Sequence, residues 1–212
     1  MVQWVRRDAP EPLLDRQPPV PSVPEAIDRV MPGLAALFER IQPDRSHAIL
    51  DLGTGDGSNV AIYSRYARWI RFADVLNEAL TPEWESAIDA ISANPDRPYD
   101  IVFIWDLFDR LKPEDRGGLV AKLARLTAPD AHLHAIVESP DDQTTALMRF
   151  SLAGPDRMRI ARDGPPRPVH PATKPADVKA ILEPFHLLKA FSTRAGIREY
   201  VAVRRWEGSN GF

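Results

Sequence analysis

Cysteine is absent from the 212 residues, which excludes disulfide frameworks, thiolate-bound zinc, iron–sulfur clusters and every mechanism with a cysteine nucleophile. No apolar run approaches the ~20 residues that a membrane-spanning helix needs. The segment from Met1 to Arg7 is followed by Asp8 and three residues later by a second acid, with none of the apolar core of a secretory signal. Neither charge sign is in excess: 27 Lys and Arg stand against 30 Asp and Glu, a net charge of −3. That balance gives no basis for general binding to nucleic acid or to a membrane surface. The five histidines fall at no metal-ligating spacing. His132 and His134 share one face of an expected strand, yet no third ligand stands near them in the sequence. The expectation is a cytoplasmic protein that uses no metal.

What is present is an ordinary globular mixture, 44% hydrophobic and 27% charged, and the length is ample for a real core. Proline is over-used, at 21 residues against a usual share of about 5%. It gathers at 10–24 and 164–175, which reads as an extended arm and a loop. Ser22 and Glu25 form a capping box with Pro24 in the first turn. The apolar residues Val23, Ile27, Val30, Leu34, Phe38 and Ile41 then fall on one helical face, broken or kinked at Pro32 and Gly33. This reads either as a packing helix on the sheet or as a hinged lid over a ligand.

From His47 the pattern changes. Strands are expected at 47–50, 70–75, 100–105 and 132–137, alternating with helices at about 58–67, from 81, and around 119–126. Such alternation means a parallel α/β sheet, and the unbroken apolar run from Ile101 to Trp105 is that of a strand buried on both faces. Further on, a helix from Ser139 to about Ser151, a Pro/Arg loop at 154–172 and a helix at about 175–183 are expected. Two strands follow, 186–192 and 198–204, and their short link through Arg194 and Gly196 permits only an antiparallel hairpin. The chain divides into an arm and cap helix (1–44), one domain (45–206) and a tail (207–212).

The decisive segment runs from Asp51 to Asn59, between a strand and a helix, with glycines at 53, 55 and 57. Glycines there let the backbone turn sharply and approach a ligand closely, while the following helix start offers unpaired N–H groups. The G-x-G-x-G spacing is neither the dinucleotide fingerprint nor a P-loop. A leading acid repels phosphate and suits a cationic group, an amine or a sulfonium.

On these residues the sequence resembles the class I S-adenosylmethionine-dependent methyltransferases, over roughly residues 45–205. Their first motif is an acid, one spacer and G-x-G-x-G, and Asp51, Gly53, Gly55 and Gly57 match it position by position. The resemblance implies a Rossmann-like, mostly parallel sheet with helices on both faces, the C-terminal antiparallel hairpin, and S-adenosylmethionine as cofactor. It implies that Asp51 and the glycines contact the cofactor, and that Asp74, seventeen residues after Gly57, holds the ribose hydroxyls. Asp89 is the candidate for reading the adenine, although helical periodicity with Trp84, Ile88 and Ile91 puts it on an outer face. The stretch between the second and fourth strands is short, residues 76–99, with room for one helix and at most a stub of the family's third strand. Pro129, Asp130 and Ala131 stand where the family often has Pro-Gly-Gly.

Methyl transfer is an in-line displacement that needs alignment and, for some acceptors, a base. Asp106, just beyond the fourth strand, and His170, in the Pro-rich loop, are the catalytic candidates, with Glu138 and Ser139 at the end of the fifth strand. Trp105 and Phe108 read as core aromatics, with a cation–π contact to the sulfonium as the alternative. Arg159, Arg162 and Arg167 read as a solvated loop or as anchors for an acidic acceptor. No Asn/Asp-Pro-Pro-Tyr/Phe motif follows the fourth strand, and cytosine C5 methylation needs a cysteine, so a small-molecule O-, N- or C-acceptor is expected. The alternatives are a binding or scaffold protein that keeps the fold without transfer chemistry, and aminopropyl transfer. The sequence leaves the oligomeric state open, a homodimer included.

Overall fold

The structure is a computed structural model and describes residues 26–75, 84–91, 97–138, 144–168, 170, 173–193 and 196–205. In chain order the elements are β1 (Ala26–Val30), α1 (Pro32–Phe38), β2 (His47–Asp51), α2 (Gly57–Tyr63) and β3 (Ala67–Phe72). There follow α3 (Trp84–Asp89), β4 (Tyr99–Trp105), α4 (Leu107–Arg110), α5 (Pro113–Leu126) and β5 (Thr127–Glu138). The chain continues with β6 (Thr144–Gly154), β7 (Arg157–Pro168), α6 (Pro175–Ile181), β8 (Phe185–Ser192) and β9 (Ile197–Arg204).

The main sheet has six strands in the order β3-β2-β4-β5-β9-β8. β3, β2, β4 and β5 are parallel, and β9 alone runs against its neighbours β5 and β8. Six of the seven residues of β4 are fully buried, as a central strand covered on both faces requires. On one face Phe103 meets Phe38 of α1 and Tyr63 of α2, and α1 packs against β5, β8 and β9. The opposite face is closed by α5, whose Leu119, Val120 and Leu123 are buried. Asp130 takes φ 62°, a left-handed conformation at the position where the resembled family often has glycine. The closing hairpin turns at Gly196, φ 77°, with the Thr193 N–H donating to the Ile197 carbonyl at 2.8 Å. Between β3 and β4 the described residues contain α3 and no strand, in keeping with the short segment. Among the described residues no helix is long and apolar enough to cross a membrane.

The second sheet was not expected. It has three antiparallel strands, β1-β7-β6. Where a helix to about Ser151 and a loop from 154 were expected, the described residues 144–168 are instead the hairpin β6–β7, turning at Pro155 and Asp156. Met148, Phe150 and Leu152, and on the partner strand Met158 and Ile160, are buried at every second position, the period of a strand. The expected helix over 23–41 is likewise corrected. Residues 26–30 are a strand registered on β7, and the helix begins only at Pro32. Pro32 opens α1 rather than kinking a longer helix, because its missing N–H is one that a first turn leaves unpaired anyway. The Met31 N–H donates to the Asp156 carbonyl at 2.8 Å, which fixes the junction that a hinge would have needed. The expected arm at 1–22 lies within residues 1–25, which are outside the described residues.

Candidate functional site

In this sheet β2 continues to β3 on one side, and the chain then crosses to β4 on the other. Ligand crevices in open α/β sheets lie at such a reversal, outside the carboxyl ends of the strands. Residues 52–57 after β2, Ala73 and Asp74 after β3, and Asp106 after β4 all fall there.

Asp51 ends β2 with its side chain wholly buried. Its carboxylate accepts from the Gly53 N–H (2.8 Å), the Tyr63 hydroxyl (2.8 Å), Asn59 Nδ2 (3.5 Å) and Trp105 Nε1. Burial raises its pKa to about 6, and these four donors pull the other way. Asp51 therefore fixes the glycine turn from beneath and offers no surface for direct contact with a ligand. An anion held under the turn gives the crevice a negative potential that favours a cation. Asn59 and Tyr63 were missed as partners of Asp51. The available signal was their i,i+4 spacing, which puts two polar groups on the inner face of α2.

Trp105 lies between Phe103 and Phe150, at ring-centroid distances of 5.4 and 5.3 Å, and is nearly fully buried. Its φ of 46° is an outlier for so bulky a residue, held by the stacking and by the bond to Asp51. The indole covers Gly53 so closely that a Cβ there would lie 2.9 Å from Nε1, so Gly53 is required for packing. The outer half of the turn is different. A Cβ on Gly55 would have Phe72 as its nearest neighbour, at 3.4 Å, and one on Gly57 would meet nothing within 4 Å. Asp74, at φ 48°, lies beside this open part, and its carboxylate accepts from the Thr54 hydroxyl at 2.9 Å. A bare backbone with a half-buried acid alongside is a cradle that fits the glycine-loop and ribose contacts of S-adenosylmethionine.

Asp106 is buried at the head of α4 and takes both Nε (3.0 Å) and the terminal amine of Arg110, four residues on. Burial raises its pKa and Arg110 partly offsets this. So engaged, the carboxylate is held in place by Arg110. Asp109 accepts the Glu138 N–H at 2.7 Å, while its other oxygen is buried without a partner. Glu138, half-buried at the end of β5, has a pKa raised by burial and by the charge of Asp106, with Arg162, Arg110 and Arg29 acting against both. It lines a cavity of about 300 Å³ beneath the second sheet. His170 is half-buried beyond β7 and does not line that cavity. Asp89 is on the exposed side of α3, paired with Lys122 of α5 at 3.0 Å, and not gathered with the turn. His134 is buried and bonded to Glu199 at 3.1 Å, the same carboxylate that accepts the Leu34 N–H of α1. Ser139 lies outside the described residues.

The sequence matches no known protein family, and no curated protein matches it. Solved structures do. The chain is similar to an assigned S-adenosylmethionine-dependent methyltransferase from Listeria monocytogenes, at 14% identity and a TM-score of 0.50, covering 82% of this chain and 98% of that one. It is also similar to CalS10, an amino pentose methyltransferase from Micromonospora echinaspora solved with bound cofactor (14% identity, 81% and 89% covered, TM-score 0.49). A third is the 1,6-didemethyltoxoflavin-N1-methyltransferase of Burkholderia thailandensis (16% identity, 82% and 77% covered, TM-score 0.47). At these identities the likeness concerns the fold, and the Listeria structure carries it: this chain has the fold of the class I S-adenosylmethionine-dependent methyltransferases.

Proposed function

We propose that the protein is an S-adenosylmethionine-dependent methyltransferase acting on a small molecule. The observation that carries this reading is the open outer half of the 53–57 turn with Asp74 beside it, at the sheet's topological reversal. Gly55 and Gly57 leave room for the cofactor's amino-acid end, Asp74 receives the ribose hydroxyls, and buried Asp51 holds the turn in shape. When bound, the cofactor supplies a methyl group made electrophilic by its sulfonium. The second sheet packs through Phe150 onto Trp105 at the end of β4, and cover at that edge of the sheet suits a small acceptor better than a macromolecular one.

Calorimetry should detect S-adenosylmethionine binding to the wild type. Gly55→Val should fold, because its Cβ makes only ordinary contact with Phe72, yet should lose binding as its branches fill the cradle. Asp74→Ala should weaken binding by about 1.5–3 kcal/mol, the range for hydrogen bonds to a charged group. Normal affinity in a folded Gly55→Val protein would sink the assignment. Release of S-adenosylhomocysteine on incubation with a panel of small acceptors tests the transfer itself.

A further inference from the structure

The cavity under the second sheet differs in composition from the apolar seam around it. The inner face of that sheet carries Met158, Ile160 and Arg162 in alternation along β7, with Ile27 and Arg29 on β1 registered against Ile160 and Met158. The outer face already carries charge, where Asp28 and Arg159 pair at 2.7 Å. Arg29 is half-buried and Arg162 exposed, so both guanidiniums line the cavity from its solvent side. Neither Arg29 nor Arg162 forms a hydrogen bond or an ion pair within 4.0 Å with Glu138 or with Asp28 across the sheet, although both line the cavity. Opposite them the rim of the main sheet brings Glu138 and its registered neighbour Ile197. Among the described lining residues, two guanidiniums stand against one carboxylate, beside the apolar side chains of Met148, Ile160, Ile27 and Ile197. A volume of about 300 Å³ is at the small end of ligand pockets. Arginine's planar fork suits a carboxylate, which it can grip through two parallel hydrogen bonds.

We propose that this cavity binds the acceptor as a small carboxylic acid with an apolar body, its carboxylate on Arg29 and Arg162 and its N–H or O–H turned toward Glu138. The fate of the ligand rests on the methyltransferase reading; its binding does not. In the transfer, the acceptor heteroatom bonds to the methyl carbon as the carbon–sulfur bond breaks. The electron pair of that bond stays on sulfur in neutral S-adenosylhomocysteine, and the acceptor's proton passes to the Glu138 carboxylate.

The test uses the full chain and two probes of equal girth, 4-hydroxybenzoate and 4-methylphenol, titrated by ligand-observed NMR. The carboxylate should bind at least tenfold more tightly than the neutral phenol. Arg29→Met with Arg162→Met should erase that preference, while Glu138→Gln should keep it. Both arginines are at least partly exposed, so the double variant should fold, and Arg162→Met alone, at the more exposed site, should at least halve the preference. Equal binding of the two probes, or a preference that survives in the folded double variant, overturns the proposal. S-adenosylmethionine titrated into the same samples separates the two readings. Cofactor binding without carboxylate preference rejects the cavity site alone; carboxylate preference without cofactor binding rejects methyl transfer alone.

Discussion

Asp109 shows how much the carboxyl end of this sheet depends on single ionisable groups. Burial raises its pKa to about 8, the charges of Asp106 and Glu138 add to the shift, and the Glu138 N–H and Arg116 oppose it. In the unfolded chain the same group titrates near 3.8. Between those values the folded protein holds the extra proton, so stability is greatest below the unfolded pKa and falls as pH rises through the folded one. One full proton is worth about 1.4 kcal/mol per pH unit within that window. Asp109→Asn keeps an acceptor for the Glu138 N–H and removes the titration. Its melting temperature should match the wild type's only below about pH 4 and exceed it by a margin that grows as pH rises toward 8, where the gap is the equivalent of at least ~1 kcal/mol. Parallel thermal melts across that range decide it; a constant gap between the two proteins would assign the burial of Asp109 no electrostatic cost. Asp51, raised to about 6, has the same sign over a narrower window, but its four donors make the buried anion tolerable where Asp109 has one.

At the scale of elements, the two sheets meet through α2. Asn59 is buried, accepts the Leu152 N–H of β6 at 2.6 Å, and turns its amide toward Asp51 and the Phe150 carbonyl at 3.5 Å each. Asp56, the N-cap of that helix, accepts from both Ser58 N–H (2.7 Å) and the Ser151 hydroxyl. Asn59→Ala strands the Leu152 N–H and should cost about 1–3 kcal/mol in urea unfolding, the penalty for a buried donor left unpaired. A variant as stable as the wild type would show that β6 docks by stacking on Trp105 alone. The centre of the main sheet was legible because β2 and β4 are near-continuous apolar runs, and because Gly53, Gly55 and Gly57 mark the strand-to-helix turn without help from distant residues. The second sheet was not. In 23–41 the spacing of Ile27, Val30 and Leu34 imitates a helix, and the true alternation places Arg29 inward, where a search for apolar faces discards it. In 144–168 the period of two is present in Met148, Phe150 and Leu152, but Leu, Met and Ala are helix formers locally. What overrides them is pairing with β7, a tertiary fact. The site divides in the same way: Asp51 and Asp74 follow from the turn, whereas their partners and the cavity follow from which strands pair.

Across the whole molecule, β1 and α1 act as one strap, five residues pairing with β7 in the second sheet and seven packing against β5, β8 and β9 of the first. The strap is pinned at its centre, where Gly33 approaches Glu199 so closely that a Cβ there would lie 2.6 Å from its carboxylate. The same carboxylate accepts the Leu34 N–H and pairs with buried His134. An element anchored at both ends and in the middle is a wall of the cavity rather than a lid that swings over it. Deletion of residues 1–30 keeps the α1 anchor and removes the wall, with Ile27 and Arg29 in it. The turn at 53–57 and Asp74 are untouched, so S-adenosylmethionine should bind the truncated protein within about threefold of the wild type, a difference of ~0.7 kcal/mol. Preference for 4-hydroxybenzoate over 4-methylphenol should vanish, and the bared edge of β7 should promote self-association visible by light scattering. Were the segment a lid instead, the loss would fall on the cofactor as well, since closure over a crevice retains both ligands. Cofactor affinity and carboxylate preference, measured together on the truncated chain, therefore distinguish a fixed wall from a moving gate.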